Sequence, residues 1–242
     1  MANVKYQNKG YIYDDQIALF GKAEVVGFGN DGFYVKEIDR AIANDIIDKN
    51  HYSHKHYNLS YIHLGIYIDG ELVGVLQYGY AMNPASGNSI VPGTDNKGYL
   101  ELNRMWLDDI APRNSESQAV SYSIKYIKRK FPGVGWLQSF ADERCGGFGI
   151  VYQACSFGYY GEHINVFWEL ENVVYHNIEM TVTPDADRYS ETSAYLQANI
   201  NRAKRLELRQ FRYLKFIDKK YKSKCLLEEK PYPKHYKENT NG

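Results

Sequence analysis

The chain has 242 residues, 44% of them hydrophobic, which is enough for one domain with extensions or a large single domain. Its formal net charge is zero, and no stretch approaches the roughly 20 apolar residues of a membrane span. The first residues lack the apolar run of a signal peptide, and Cys145, Cys155 and Cys225 form no CxxC pair. These features exclude a disulfide-stabilised scaffold and a helical membrane protein, so we expect a cytoplasmic protein with free thiols.

The neutral total hides an uneven distribution of charge. Residues 202–237 contain 13 Lys or Arg and four acidic residues, a net charge of +9 that the rest of the chain balances. A basic segment in a neutral protein is more typical of nucleic-acid binding than of membrane binding. The alternative is a solvated amphipathic helix. The side chains expected to contact DNA phosphates are Arg202, Arg205, Arg209, Arg212 and Lys215.

Hydrophobic periodicity predicts alternating strands and helices over most of the chain. Asp69-Gly70, between two β-rich runs, is a strong hairpin signal. The order of elements predicts an α/β (α+β) fold in which helices flank a mixed central sheet. Strands are predicted at 16–21, 33–38, 61–68, 71–80, 99–107, 135–141 and 163–170, and helices at 39–50, 113–131 and 146–157.

The last of these helices lies in the segment "GIVYQACSFGYYGE" (149–162), which resembles the GNAT acyltransferases. In that family the loop and helix after the fourth strand hold the pyrophosphate of coenzyme A, and the fifth strand splays away from the fourth to leave a cleft. The resemblance implies a GNAT-like catalytic domain at 33–183. It leaves an N-terminal extension at 1–32 and a basic helical segment at 184–242, expected to pack on the domain and contact DNA.

The loop that corresponds to the phosphate-binding loop, "APRNSESQAVS" (111–121), lacks the glycines of the family pattern. A helix N-terminus binds anions through its N–H groups and its dipole without requiring glycine, and Ser115 and Gln118 have the spacing of a capping box there. The resemblance therefore implies acetyl-CoA or a related CoA thioester as cofactor. The residues expected to bind it are Arg113, Asn114, Ser115 and Ser117.

Several motifs in matching order narrow the resemblance to the phage Mom proteins, a GNAT-related family. These proteins modify adenine in phage DNA at N6, and the carbamoylmethylated base blocks host restriction. The catalytic residues that the resemblance implies are His51, Tyr52, Arg104, Asp142 and Tyr152. The motifs are "NHYS" (50–53), "ELNRMWL" (101–107), "NSES" (114–117), "SFADERCGGFGIVYQACSFGYYGE" (139–162), "RYLKFIDKKYK" (212–222) and "PYPK" (231–234).

Three of the seven histidines fall within residues 48–57. His51 and Tyr52 can bind a metal such as iron or move protons, and with Asp142 they form a hypothetical site for iron or another transition metal. The alternative for His51 is a cap at the C-terminus of helix 39–50. His54 and His56 show no strict metal-ligand spacing, and we expect them to form a polar patch beside the site.

The other three implied residues also have structural alternatives. Strict alternation places Arg104 on the face of its strand that carries Leu102, where it is either half of an ion pair or a substrate contact. Asp142 ends a strand, where it takes a proton from the attacking nitrogen, binds a metal or caps a helix. In many GNAT enzymes a tyrosine at the place of Tyr152 protonates the departing thiolate, and the alternative is a packed aromatic ring.

The predicted function is that of a phage-encoded transferase that acts on double-stranded DNA in the host cytoplasm. It would convert the N6 of a flipped adenine to a carbamoylmethyl derivative, using a small-molecule donor and no membrane partner. One alternative is a conventional N-acyltransferase for a protein or a small amine, and another is a DNA-binding module without catalysis. The sequence leaves the oligomeric state open, with a dimer as one option.

Overall fold

The computed structural model describes residues 9–14, 23–145, 147–187 and 189–233, so the strand predicted at 16–21 lies outside the described residues. The chain divides into two compact units. The first contains Met1–Ser139, Ile150–Tyr160 and Tyr213–Tyr232, and the second contains Phe140–Gly149, Gly161–Arg212 and Pro233–Gly242. Within the described ranges, no α-helix is both long and apolar enough to cross a membrane.

The first unit holds most of the predicted elements, and three strands continue from one unit into the other. Its own elements are β1 (Gly10–Asp14), β2 (Glu24–Asn30), β3 (Phe33–Glu37), α1 (Arg40–Asn50), β4 (Ser60–Ile68), β5 (Glu71–Gly79), α2 (Ser86–Ile90), β6 (Tyr99–Leu107), α3 (Ser115–Lys130), α4 (Ile150–Ala154) and α7 (Lys219–Lys222). The shared strands are β7 (Trp136–Asp142), β8 (Gly158–Leu170) and β10 (Lys204–Phe216).

The sheet of the first unit is mixed, as predicted. Strands β1 to β6 follow one another in antiparallel order, and β7 then pairs with β6 in parallel. Asp69 and Gly70 join β4 to β5 with φ of 49° and 89°, the left-handed conformations that a tight two-residue hairpin turn requires. The pairing of β6 with β7 runs from Tyr99 to Glu101 and ends there, although β6 continues to Leu107.

One helix packs on each face of this sheet. On one face, Ala43 and Ile47 of α1 lie four residues apart and are fully buried with Val75. On the other face, the hydroxyl of the buried Tyr78 hydrogen-bonds Ser123 of α3 at 2.6 Å, which satisfies both polar groups in the core. The helices therefore define an α1 face and an α3 face.

A β-bulge in β6 changes the predicted placement of Arg104. Gln77 of β5 opposes Arg104, but the next residue, Tyr78, opposes Leu102, so Asn103 is an extra residue in β6. The Gln77 amide donates to Asn44 of α1, which places Gln77 and its partner Arg104 on the α1 face. Leu102 lies opposite Tyr78 on the α3 face. The prediction that Arg104 shares a face with Leu102 is wrong, because strict alternation does not hold across a bulge.

The second unit contains β9 (Val173–His176), α5 (Asn177–Thr181) and α6 (Glu191–Ala198), with parts of the shared strands. Strand β8 pairs with β9 through a turn in which Glu171 and Asn172 have φ of 53° and 65°. The helix predicted across the basic segment is wrong for residues 204–216, which form β10. Its buried aromatic residues Phe211 and Tyr213 alternate with Arg212, and this period of two is that of a strand.

Candidate functional site

His51 ends α1 and is buried. Its backbone N–H donates to the carbonyl of Ile47 at 3.0 Å, so the predicted role as the residue that caps the helix C-terminus is confirmed. The backbone N–H of Ser53 donates to His51 Nδ1 at 3.2 Å, and the Ser53 hydroxyl lies 2.8 Å from the same nitrogen. Because a backbone amide can only donate, Nδ1 is the acceptor, and neutral His51 carries its proton on Nε2.

In the rest of the histidine-rich segment, His54 and His56 contact Asp48, whereas Tyr52 contacts His51. Tyr52 stacks on His51 with ring centroids 4.1 Å apart and is 53% exposed. His56 Nδ1 lies 2.7 Å from the Asp48 carboxylate, which also accepts the backbone N–H of His56 at 2.6 Å. His54 Nδ1 lies 3.2 Å from the Asp48 carbonyl oxygen. His54 and His56 therefore help to hold the loop after α1, and His51 and Tyr52 have separate partners.

The bulge in β6 brings Arg104 to this loop. Its Nε donates to the carbonyl of Lys55 at 3.0 Å, its Nη1 donates to the carbonyl of Asn103 at 2.7 Å, and its guanidinium lies 5.8 Å from the centre of the Tyr57 ring. Two backbone carbonyls therefore hold the Arg104 guanidinium beside an aromatic ring. The fold thus brings together three of the implied catalytic residues, namely His51, Tyr52 and Arg104.

A polar network lies under this cluster at the point where β6 and β7 part. The carboxylate of Glu101 accepts from Asn103 Nδ2 at 3.3 Å and from Gln138 Nε2 at 2.9 Å. Burial, with the nearby charge of Glu101, raises the pKa of Tyr57 to about 12. Among the described residues, the Tyr57 hydroxyl and Gln138 Oε1 have no hydrogen-bond partner. No sequence signal pointed to Tyr57 or Gln138, although Glu101 and Asn103 stand in a matched motif.

The N-terminus of α3 lies in the loop predicted to bind phosphate. Its N-cap is Asn114, in the left-handed conformation with φ of 72°, and the Ser117 hydroxyl donates to the Asn114 carbonyl at 2.9 Å. The capping box predicted from Ser115 and Gln118 is wrong, because Ser115 is already helical and Gln118 Nε2 donates to Tyr122. Asn114 supplies the turn that glycine usually makes, so the missing glycines do not prevent it.

Tyr152 lies on α4, which packs near this helix start. Its ring is half-buried, with centroids 5.7 Å from Phe157 and 5.4 Å from Tyr213. The Cys155 thiol donates to the Ser117 carbonyl at 3.2 Å and so joins α4 to the first turn of α3. Burial raises the pKa of Tyr78, and Cys155 and Tyr152 add to the increase, which places Tyr152 beside the α3 face.

Lys215, predicted to contact DNA, lies at the C-terminal end of α4. Its ammonium group donates to the carbonyls of Cys155 at 2.9 Å and Ser156 at 3.1 Å. Burial lowers the pKa of Lys215. A cation on the last carbonyls of a helix stabilises the helix end, so the described contacts of Lys215 are structural.

Asp142 belongs to the second unit, where Arg144 binds its carboxylate. Asp142 Oδ2 accepts from Arg144 Nε at 2.9 Å and from Nη2 at 2.5 Å, and Oδ1 accepts the backbone N–H of Arg144 at 3.0 Å. The Arg144 guanidinium also lies 4.4 Å from the centre of the buried Phe167 ring. Asp142 thus accepts a backbone N–H within the short 3₁₀ turn Glu143–Cys145, whereas the helix cap expected of it concerned the segment starting near Gly146.

The arginines of the basic segment lie on β10 or just before it, and three of them pair with carboxylates. The pairs are Arg202 with Glu171, Arg205 with Glu207 at 2.6 Å and Arg209 with Glu143 at 2.7 Å. The guanidinium of Arg212 lies 5.4 Å from the centre of the Phe140 ring. Because Arg205, Arg209 and Arg212 lie on a strand, they do not form the helical face expected from the sequence.

The hypothetical metal ligands are divided between the two units, with His51 and Tyr52 in the first and Asp142 in the second. In the ranges that the structure describes, no group of three His, Cys, Asp or Glu side chains is arranged to hold a metal ion. Both oxygens of Asp142 already accept from Arg144, and His51 Nδ1 accepts from Ser53. The Arg144 guanidinium disfavours a second cation at the Asp142 carboxylate, so this carboxylate fits a transition metal poorly.

The first unit therefore carries two groups of candidate residues. His51, Tyr52 and Arg104 lie on the α1 face, whereas Tyr152 and the start of α3 lie on the α3 face. The parallel strands β6 and β7 separate after Glu101, which leaves a gap in the sheet between the two groups. A mixed sheet with this order, a parted parallel pair and a helix start beside it define a GNAT-like α/β protein.

The comparison with known families is more specific. Residues 32–234 match the model of the Mom protein family, so the chain belongs to that family. It is 46% identical over 231 residues to methylcarbamoylase mom of Escherichia phage Mu, covering 94% of this chain and 95% of that relative.

Two solved acetyltransferases are among the structures similar to this chain. The ribosomal-protein-S5-alanine acetyltransferase of Vibrio fischeri is 11% identical, with a TM-score of 0.47 and coverage of 80% of this chain and 97% of that one. An acetyltransferase of the GNAT family from Streptococcus pneumoniae is 9% identical, with a TM-score of 0.42 and coverage of 76% and 99%.

Proposed function

We propose that this protein is a phage DNA-modifying transferase that converts the N6 of adenine in DNA to a carbamoylmethyl derivative and so protects the DNA from host restriction. The observation that carries the proposal is the 46% identity with a methylcarbamoylase over nearly the whole of both chains. The implied residues His51, Tyr52 and Arg104 also meet in one cluster, which supports a common role.

The adenine would enter from the α1 face. Its N6 cannot be reached inside a stacked duplex, so the base must be flipped out of the helix. Arg104, whose guanidinium is held by the carbonyls of Lys55 and Asn103, would contact the phosphate beside the flipped nucleotide. The His51 imidazole, with its proton on Nε2, would donate a hydrogen bond to the base, and the exposed Tyr52 ring would cover the base.

The donor would approach from the α3 face, with a CoA thioester as the first candidate. The Ser115 amide donates to the Pro112 carbonyl at 3.1 Å, and the next amides of the first turn of α3, which have no intrahelical acceptors, would donate to the anion. Asn114, Ser115, Ser117 and Arg113 would supply the remaining pyrophosphate contacts. When bound, a CoA thioester provides an activated carbonyl carbon and a thiolate leaving group. Because the product is carbamoylmethyl rather than plain acyl, the reaction requires more than one simple acyl transfer.

Proton transfer would fall to Tyr152 and Asp142. The Tyr152 phenol, beside the junction of α3 and α4, suits the role of proton donor to the departing thiolate. Asp142, paired with Arg144, would accept a hydrogen bond from the attacking amino group through the second lone pair of Oδ1.

Arginines near the start of β10 would bind the DNA backbone. Arg202 and Arg205 are more than half exposed, and a phosphate can replace the exposed partners Glu171 and Glu207 because surface ion pairs are weak. Replacing both arginines with Gln should reduce the slope of log K against log salt by about 1.8. An unchanged slope would mean that residues other than Arg202 and Arg205 contact the DNA backbone. Arg209 and Arg212 are further candidates for phosphate contacts.

Mass spectrometry of nucleosides tests the central proposal. DNA from cells that express the protein should contain an adenosine whose mass is increased by a carbamoylmethyl group. Cells expressing Tyr152→Phe should contain much less of it, whereas the matched control Tyr13→Phe, on β1, should equal the wild type. Unmodified DNA together with DNA-independent thioester turnover would instead indicate a conventional N-acyltransferase.

A further inference from the structure

An exposed apolar and aromatic patch lies where β4 begins and β5 ends, and it has no role in the chemistry proposed above. Leu59, Tyr61 and Met82 are 42%, 43% and 65% exposed. The Tyr61 ring leans on Tyr80, with centroids 4.9 Å apart and planes inclined by 48°. Large apolar side chains that cluster at the surface often mark a binding site.

Two β-bulges build this patch and tie it to Arg104. In β4, Ser60 opposes Gly79 and Ile62 opposes Tyr78, so Tyr61 is an extra residue. The second bulge, at Asn103 in β6, lies on the other side of β5. Bulges redirect side chains and occur often beside active sites. Here the two bulges place Tyr61 and Asn103, the residue before Arg104, at the same level of the sheet on opposite sides of β5.

Hydrogen bonds connect the two bulges directly. The Ser60 hydroxyl donates to Asn103 Oδ1 at 3.0 Å, and Asn103 Nδ2 donates to the carbonyl of Tyr80 at 3.2 Å. Asn103 therefore holds the Tyr61–Tyr80 pair in a fixed position next to Arg104. The rigidity matters because a preorganised aromatic surface binds a planar ligand without an ordering cost.

We propose that Tyr61 and Tyr80 form a stacking platform for a DNA base displaced from the double helix, an inference that rests on the proposed function. Every nucleobase presents a flat π-face that stacks on aromatic side chains. Burial against the sheet, with the neighbouring Tyr80, raises the pKa of Tyr61 to about 12. The phenol is therefore neutral at physiological pH and does not repel the phosphates of an incoming strand.

The size of the patch favours a base over a protein partner. A stable protein interface takes roughly 20–30 residues from each side, whereas the Tyr61–Tyr80 patch consists of four side chains. Asn103 links the patch to Arg104, because its side chain binds Ser60 and the Tyr80 carbonyl while its own carbonyl accepts from Arg104. The platform would hold the flipped adenine itself.

A fluorescent base analogue tests the platform without any need for turnover. The probe is a DNA duplex in which 2-aminopurine replaces the single adenine and stands opposite an abasic site. Tyr61→Leu keeps an apolar side chain but removes the aromatic face, so it should weaken binding about 5- to 150-fold and restore part of the quenched 2-aminopurine fluorescence. Tyr61→Phe should bind and quench like the wild type.

Tyr13→Leu, which removes a 42% exposed tyrosine from β1, is the matched control and should change neither readout. Wild-type affinity and quenching in a folded Tyr61→Leu protein would overturn the proposal. If Tyr61→Leu does not fold, Tyr80→Leu provides the same test. If the proposed function fails, DNA from cells with the wild-type protein will be unmodified. The platform can still be correct in that case, and Tyr61→Leu will then still bind more weakly than Tyr61→Phe.

Discussion

Replacing Arg144 with Met should destabilise the protein by leaving a buried carboxylate without its cation. The Asp142 side chain is 6% exposed, and three N–H groups of Arg144 bind it. Removing one partner of a buried ion pair costs about 3–5 kcal/mol. Because Met still packs on Phe167 and the backbone N–H stays in place, we expect the free energy of unfolding to fall by about 2–3 kcal/mol.

Urea unfolding measures this loss, and a double-mutant cycle assigns it to the charge. Adding Asp142→Asn to Arg144→Met removes the unpaired charge but keeps an acceptor for the backbone N–H, so at least half of the loss should be recovered. Arg205→Met, which breaks an exposed pair with Glu207, should cost about 0.5 kcal/mol or less. If Arg144→Met costs no more than Arg205→Met, or if the double variant recovers nothing, the reasoning is refuted.

Three further predictions concern the first unit. Nitrogen-15 NMR of neutral His51 should show the proton on Nε2, and a protonated Nδ1 would contradict the bond from Ser53. Burial lowers the pKa of His63 in the folded protein. As the pH falls below about 6.5, His63 therefore takes up a proton in the unfolded chain before it does so in the folded protein, and the free energy of unfolding decreases. Urea unfolding at about pH 7.5 and 5.5 should therefore show a larger loss for the wild type than for His63→Gln. Lys215→Met should lower the free energy of unfolding by about 1 kcal/mol, with the salt dependence of DNA binding unchanged.

Local sequence patterns predicted most elements of the fold. The Asp69-Gly70 dipeptide marked the β4–β5 hairpin because both residues adopt positive φ at little cost. The helical periodicity of 113–131 marked α3 to within two residues. The prediction failed for β10, where the positive charges and leucines also suit a helix, and Phe211 and Tyr213 are buried only by residues distant in the sequence, such as Phe148 and Tyr152.

The candidate site divides in the same way. Motif resemblance alone selected His51, Tyr52 and Arg104, and the structure brings these three together around the loop after α1. The motif resemblance could not show that Arg144 binds Asp142, since an arginine two residues away has many other possible partners. Nor could it find Tyr57 or Gln138, which reach the network only after the sheet has formed.

The sequence by itself determined the family, most strands and helices between residues 33 and 170, and the residues that the family motifs carry, because these depend on residue type and spacing along the chain. Tertiary structure alone decided which face of β6 presents Arg104, since a bulge depends on how two strands pair. It also decided which charges of the basic segment are neutralised, because a carboxylate such as Glu143 reaches Arg209 only across the fold.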